Sequence, residues 1–339
     1  MWVSESYRLR LEIESAGSVL PWIGPALRGL VAGRLKAMVC RHPRPDREAH
    51  WQYCDGCPYL KQCAYGRLFE PPALFGGTVS AGVTSPEGPD GGRGAVDARA
   101  ASRAVGRGGP AQARPVVMAP YFPLPEQIGP SYEVPVKIVL VGQAVSFAFG
   151  ALVEALADVG RKPGIGPDGI RFRLTPGGIQ ADEQTQLGAE DFPPSPEAIR
   201  GYVPRLGVGL TAPLFLWPRD RRSGRRRANT APQLVDLFRA SERILRRLFA
   251  EHGEPLSVDV RSLDRAAQAV EMIDHCYEPF EQVQWSTRRR SRRMLQGVVG
   301  GAVFRNVPLS LVPWLLWGGR LHCGTERVCG AGSWRLVLE

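Results

Sequence analysis

The feature of this 339-residue chain that most constrains its fold is a strand and helix pattern that recurs in both halves. In residues 7–14, Leu9, Leu11 and Ile13 alternate with polar side chains, as they do in a half-buried strand. Apolar residues at helical spacing follow in residues 20–40, which predicts an amphipathic helix. With 44% hydrophobic residues, the chain can bury cores for about two domains.

The remaining elements continue this order. The first half is predicted to go on with a strand at 133–142, a helix from 144 that ends in a glycine-rich turn, and a strand at 170–174. The second half is predicted to hold a strand at 208–217, helices at 231–253 and 262–276, strands near 278–285 and 293–306, a short helix at 309–319 and a strand at 333–339. Two halves of similar rhythm predict an α+β protein made of tandem ferredoxin-like modules, a fold that also forms RNA-recognition sheets.

Two segments interrupt the first half. Residues 40–70 form a cysteine-rich insert, and residues 76–115 contain no aromatic residue, leucine or isoleucine. The second segment cannot bury enough apolar surface to offset its loss of conformational entropy, so we expect a flexible insertion. The domain prediction is an N-terminal module at 1–185 and a C-terminal module at 200–339, joined by a proline-rich link.

The positive charge is almost entirely arginine and is clustered. The net charge is +10, and lysine supplies only four of the 43 basic residues. Guanidinium groups pair with phosphate oxygens, so one-signed runs of arginine favour binding to RNA. The alternatives are a general compositional preference for arginine and, for the second run, a solvated strand edge that discourages pairing. The first run is at 219–227 and the second at 288–293. The arginines expected to contact RNA are Arg225, Arg226 and Arg227 in the first run and Arg288, Arg289, Arg290, Arg292 and Arg293 in the second.

Four of the seven cysteines lie close together in the sequence. They are Cys40, Cys54, Cys57 and Cys63. Cys54 and Cys57 have the C-x-x-C spacing that forms one half of a tetrahedral thiolate site, which predicts structural zinc. An iron–sulfur cluster and unligated thiols remain alternatives, because the spacing to the other two cysteines is irregular.

Four stretches spread over nearly the whole chain resemble one known family. They are LPWIGPALRGLVAGRL at 20–35, CDGCPYLKQCAYGRLFEPP at 54–72, QWSTRRRSRRMLQGVVGGAVF at 284–304 and LLWGGRLHCGTERVCGAGSWRL at 315–336. The chain resembles the CRISPR-associated endoribonucleases that process precursor crRNA, a family of the RAMP (repeat-associated mysterious protein) superfamily.

The glycines before the last predicted strand carry much of this resemblance. In the family a glycine is followed six residues later by Gly-x-Gly, and Gly324, Gly330 and Gly332 match that spacing. The resemblance implies that the loop at 324–332 is a backbone cradle for RNA. Thr325 stands where relatives often place a basic residue, so Arg327 or the arginine runs are expected to supply the cation.

The resemblance also implies the chemistry. Family members bind CRISPR repeat RNA and cut it without a metal ion, by attack of the 2′-hydroxyl, which leaves a 2′,3′-cyclic phosphate and a 5′-hydroxyl. The reaction needs a general base, a general acid and a cation that stabilises the phosphorane charge. His42 is the first candidate for acid or base and His50 the second, with Lys36 as a cation and Tyr65 as an assisting group. The competing interpretations are a histidine in an ordinary loop, a charge on a helix face and a packed aromatic ring.

Two other functions remain open. The chain could be a catalytically inactive relative that binds crRNA within a multisubunit CRISPR effector complex, or, with less support, a zinc-knuckle regulator that binds DNA. Neither a membrane span of roughly 20 apolar residues nor a signal sequence is predicted, so a cytoplasmic location without membrane partners is expected.

Overall fold

The computed structural model describes residues 2–41, 54, 57–60, 62–70, 113–142, 145–217, 227–252, 255–256, 258–286 and 291–339. These residues form two α+β modules, each built on an antiparallel sheet. None of the helices in the described ranges is long and apolar enough to cross a lipid bilayer.

The first module has a five-stranded sheet with the longest strand in its middle. Its strands are β1 (Trp2–Ile13), β3 (Val116–Pro120), β5 (Glu133–Val141), β6 (Phe172–Leu174) and β7 (Gln180–Leu187). β1 pairs with β5 along one side and with β6 and β7 along the other, and β3 pairs with the far side of β5. The short strands β2 (Gly17–Ser18) and β4 (Gln127–Ile128) form a separate pair.

Helices cover one face of this sheet. They are α1 (Gly24–Val39), α2 (Ala64–Phe69) and α3 (Val145–Arg161). In α1, Leu27, Val31 and Leu35 recur every four residues and pack into the core with Leu9 and Leu11 of β1. With α1 after β1 and α3 after β5, the sheet order is that of a ferredoxin-like fold.

The second module repeats this arrangement. Its strands are β8 (Tyr202–Leu210), β9 (Glu271–His275), β12 (Gly301–Pro308) and β13 (Trp334–Leu338), in the sheet order β13-β8-β12-β9. Its helices are α4 (Leu234–His252), α5 (Arg261–Gln268) and α6 (Val312–Leu321). The prediction of tandem ferredoxin-like modules is confirmed.

A long hairpin is inserted between β9 and β12. Its strands, β10 (Glu278–Ser286) and β11 (Ser291–Val299), pair without interruption from Glu278↔Val299 to Ser286↔Ser291. Gly300 makes the tight connection from β11 to β12. It has φ +95°, and a Cβ there would come within 2.1 Å of the Cys276 carbonyl oxygen, so the position requires glycine.

The two modules share apolar surface through the first sheet. In β5, Val136, Ile138 and Leu140 face the helices of the first module. Val139 and Val141, on the opposite face, join the core that contains α4 and α6. Burial on both faces explains why this strand has an almost continuous apolar sequence.

Three predictions about elements are corrected by the structure. The helix expected at 262–276 ends at Gln268, and residues 271–275 form β9, because pairing with β12 overrides local helix propensity. The strand expected at 208–217 ends at Leu210, and beyond Pro213 only Leu214 forms an isolated bridge, to Val298.

The third correction concerns residues 113–115, the end of the insertion expected at 76–115. Residues 113–115 are packed: Ala113 is buried, and the Pro115 carbonyl accepts a 2.8 Å hydrogen bond from the amide of Val141. Residues 71–112 lie outside the described residues.

Candidate nucleic-acid interface

The glycine loop at 324–332 lies against the first module. Gly330 is buried with φ +86°, and a Cβ there would lie 2.4 Å from the Ala119 Cα of β3. Gly332, at φ +73°, would place a Cβ 1.8 Å from the Cys323 carbonyl oxygen. Both positions therefore require glycine so that segments of the protein can approach each other.

The amides of this loop are used inside the protein. Gly330 N–H donates to the Arg327 carbonyl at 2.8 Å, and Gly332 N–H donates to the Pro213 carbonyl at 2.9 Å. Buried glycines with paired amides cannot form a cradle for phosphate, so the RNA-binding role predicted for Gly330 and Gly332 is corrected. Gly324 is exposed, and its predicted RNA contact stays a prediction.

Arg327 is the centre of the contact between the modules. Its Nε donates to the carbonyls of Leu321 (3.1 Å) and His322 (3.3 Å), and its Nη1 donates to the Arg114 carbonyl of the first module (2.6 Å). Burial lowers the pKa of Arg327 to about 10, so the side chain still carries its charge at neutral pH. With a side chain only 6% exposed, it cannot supply the RNA contact that the sequence predicted.

A small apolar cluster fixes the hairpin at the same place. It brings together Trp22 of the first module, Phe215 and Leu295 of the second, and Cys329 and Ala331 of the loop.

Polar contacts reinforce this anchor. Gln282 Nε2 donates to the Trp22 carbonyl at 2.9 Å, and Arg293 Nη1 forms a 2.6 Å ion pair with Glu326. The inner face of the hairpin is thereby bound to both modules and to the glycine loop.

The outer face of the hairpin is exposed and carries apolar side chains beside polar and charged ones. Val283 and Met294 pair across the strands and are 48% and 47% exposed, and Trp285 is 58% exposed. Arg292 pairs with Trp285 and is exposed on the same face. We call these four residues the hairpin face.

Sequence reasoning missed Trp285, although a signal was present. Residues 282–285 alternate between polar and apolar side chains, which predicts a strand but does not say which face is buried. Here Gln282 points inward, because its amide donates to the Trp22 carbonyl, and Val283 and Trp285 point outward.

The arginine runs are described only in part. Arg225, Arg226, Arg288, Arg289 and Arg290 lie outside the described residues. Arg227 and Arg292 are exposed, whereas Arg293 is half-buried in its ion pair with Glu326.

The first two catalytic candidates, His42 and His50, also lie outside the described residues. Of the histidines that are described, His322 donates from Nδ1 to the Ala331 carbonyl, and burial lowers its pKa to about 3. Burial likewise lowers the pKa of His252, which bonds to the Ala113 carbonyl at 3.1 Å. His275 is exposed and stacks on Tyr277.

Lys36 and Tyr65 border one cavity of about 520 Å³ beside α1. The ammonium group of Lys36 lies 5.1 Å from the centre of the Tyr65 ring. Burial raises the pKa of Tyr65 to about 12, so its phenol stays protonated and can donate a hydrogen bond.

The four clustered cysteines border the same cavity, and all are partly buried. Burial raises the pKa of the Cys54 thiol, against the opposing effect of Lys36. As the side chains stand, no three cysteine, histidine or acidic groups of the described residues are near enough to one another to share a metal ion.

A family model matches more than half of the chain. The model, AF_1859_N, is described as an N-terminal domain and matches residues 3–190. The chain belongs to the AF_1859_N family. The match covers the first module, from the start of β1 to just beyond β7.

Solved structures extend the likeness to the second module. Cas6 (TTHB231) in a product complex is 12% identical with a TM-score of 0.55, over 98% of this chain and 100% of that one. A chain of a partial Cas6-RT-Cas1–Cas2 complex is 9% identical with a TM-score of 0.50, over all of this chain and 46% of that one. Thermus thermophilus Cas6 is 10% identical with a TM-score of 0.47, over 99% of each chain. No curated protein matches the sequence.

The likeness to the Cas6 product complex shows that this chain shares the fold of that protein. In this member of the AF_1859_N family, the alignment to that structure covers 98% of the chain and includes both modules.

Proposed function

We propose that the chain binds CRISPR repeat RNA and cleaves precursor crRNA. The observation that carries the proposal is the hairpin face, where an exposed tryptophan stands beside an exposed arginine on a firmly anchored hairpin. A nucleobase stacks on an aromatic ring whatever its identity, and a neighbouring guanidinium group pairs with phosphate. The Cas6 product complex, which has the same fold, adds support.

The surroundings of this face suit a polyanion. The second arginine run, 288–293, follows β10 in the sequence and continues into β11, and the chain as a whole carries a charge of +10. Electrostatic attraction of this kind supplies affinity for the RNA backbone, and stacking then fixes unpaired bases. The partner is therefore an RNA with accessible bases next to a paired region, as at the base of a repeat hairpin.

The proposed cleavage needs no metal ion. The 2′-hydroxyl attacks the adjacent phosphorus, the bond to the 5′-oxygen breaks, and the products carry a 2′,3′-cyclic phosphate and a 5′-hydroxyl. A base removes the proton of the 2′-hydroxyl and an acid protonates the leaving oxygen. We assign one of these roles to His42, with His50 as the second candidate. The protonated Tyr65 would donate a hydrogen bond to the phosphorane, whereas Lys36, the predicted cation, is only 7% exposed and is too buried to reach the phosphate.

A second candidate function is a catalytically inactive subunit that holds crRNA within a CRISPR effector complex. The observation that favours it is the state of two described histidines, His252 and His322, whose lowered pKa values and bonds to main-chain carbonyls make them poor proton carriers. Cleavage then depends on His42 or His50.

One assay separates the two functions. The protein is incubated with the repeat RNA encoded beside its gene, in EDTA, and the product ends are analysed. The proposed enzyme gives a 2′,3′-cyclic end and a 5′-hydroxyl, and His42→Ala abolishes the product while His275→Ala, at an exposed histidine of β9, retains it. RNA that is bound but uncut supports the inactive subunit, and absence of binding overturns both.

A further inference from the structure

The cysteines at the end of α1 and the start of α2 have no part in the proposed cleavage. Cys40 caps α1, with its amide donating to the Lys36 carbonyl at 3.0 Å. Cys54 and Cys57 are joined by a main-chain hydrogen bond, in which the Cys57 amide donates to the Cys54 carbonyl at 3.1 Å. Cys63 immediately precedes α2. Three separate segments thus direct cysteines to the same cavity.

The chemistry of the cavity wall selects a soft metal. Among the described residues that border it, the metal-binding side chains are thiols, and no carboxylate is present. Magnesium and calcium prefer oxygen ligands, whereas four thiolates match zinc in tetrahedral geometry. Lys36 and Arg41 also border the cavity, and their charges offset the net negative charge of a zinc ion bound by four thiolates.

We infer that Cys40, Cys54, Cys57 and Cys63 bind one structural zinc ion. The thiols border the cavity without yet converging, so binding of the metal brings the four sulfur atoms together. The zinc ion then links the end of α1, the residues Cys54 and Cys57, and the start of α2.

Metal analysis of anaerobically purified, full-length protein tests this inference. We expect about one zinc per chain in the native protein and in Cys276→Ser, a control at an exposed cysteine of the second module. Cys54→Ser with Cys57→Ser is expected to lose the zinc and to expose residues 40–70 to protease. Native protein without zinc, or a double variant that retains it, overturns the inference, and iron with sulfide identifies a cluster instead.

A second measurement covers the case in which the double variant does not fold. Native protein is stripped of metal and titrated with Co²⁺, which should give the visible absorption of a tetrahedral thiolate site at one equivalent. No such band means that the thiols do not bind metal together. The measurement involves no RNA, so its failure leaves the proposed function untouched. Zinc content measured in the EDTA cleavage samples separates loss of structure from loss of chemistry.

Discussion

The glycine loop contacts the inner side of the hairpin, and the hairpin face is on the outer side; the two differ in what they contact. The loop has the sequence expected of a nucleic-acid cradle, yet Gly330, Gly332 and Arg327 are buried and bonded within the protein. The hairpin has no such motif, yet it presents Trp285 and Arg292 to solvent. The glycine motif therefore identifies residues that pack the two modules and the hairpin together, while other residues form the proposed binding surface.

The largest effect is expected from a side chain added inside the loop. Gly330→Ala places a Cβ against Ala119 and strains a backbone at φ +86°, so the free energy of unfolding should fall by about 4 kcal/mol. Chemical denaturation measures the change. Gly29→Ala, in α1 with nothing within 4 Å of the new Cβ, is the control and should be neutral or slightly stabilising. Equal stability of both variants would mean that the loop is not packed as described.

The next effect is expected at Arg327. Arg327→Met removes three hydrogen bonds and leaves buried carbonyls of both modules unpaired, at a cost of about 3 kcal/mol. The exposed Arg335→Met serves as the control for lost charge. If Arg327→Met weakened RNA binding at unchanged stability, Arg327 would instead be a direct ligand of RNA.

A smaller effect, confined to binding, is expected at the hairpin face. Trp285→Ala should weaken repeat RNA binding about tenfold, which corresponds to the loss of roughly one stacked base, while the thermal midpoint stays unchanged. Tyr202→Ala, at another exposed aromatic residue, controls for general loss of surface. Equal RNA affinity of the two variants would contradict the role of Trp285.

The smallest effect is a pH dependence of the free energy of unfolding that comes from His322. His322 is neutral when folded because burial lowers its pKa to about 3, whereas the unfolded chain takes up a proton near pH 6.5. Its contribution is fully present above pH 6.5 and is lost as the pH falls toward 3. Lowering the pH from 7 to 5.5 should therefore reduce the free energy of unfolding by about 1 kcal/mol. Denaturation curves should show a smaller decrease in His322→Asn, and an identical decrease would place the titration elsewhere.

Much of the fold could be predicted from periodicity. Alternation in β1 and the apolar stripe of α4 each identify an element because one face is buried. β9 could not be predicted in this way, since residues 271–275 are exposed or half-buried and become a strand only by pairing with β12. β7 was missed for a related reason, because its polar sequence contains no apolar alternation.

The site could be predicted less well than the fold. Glycines at 330 and 332 indicate close backbone approach but do not say whether RNA or protein approaches. A run of arginines indicates a polyanionic partner, but Arg293 is held by Glu326, a residue distant in sequence. Such contacts depend on how the two modules meet, and local sequence patterns carry no information about that.

The most direct test of where RNA binds is photocrosslinking of repeat RNA that carries 4-thiouridine, with the crosslinked peptides identified by mass spectrometry. We expect crosslinks within residues 278–299, including Trp285, that are lost in Trp285→Ala. Crosslinks confined to residues 322–333, with none on the hairpin, would contradict this prediction.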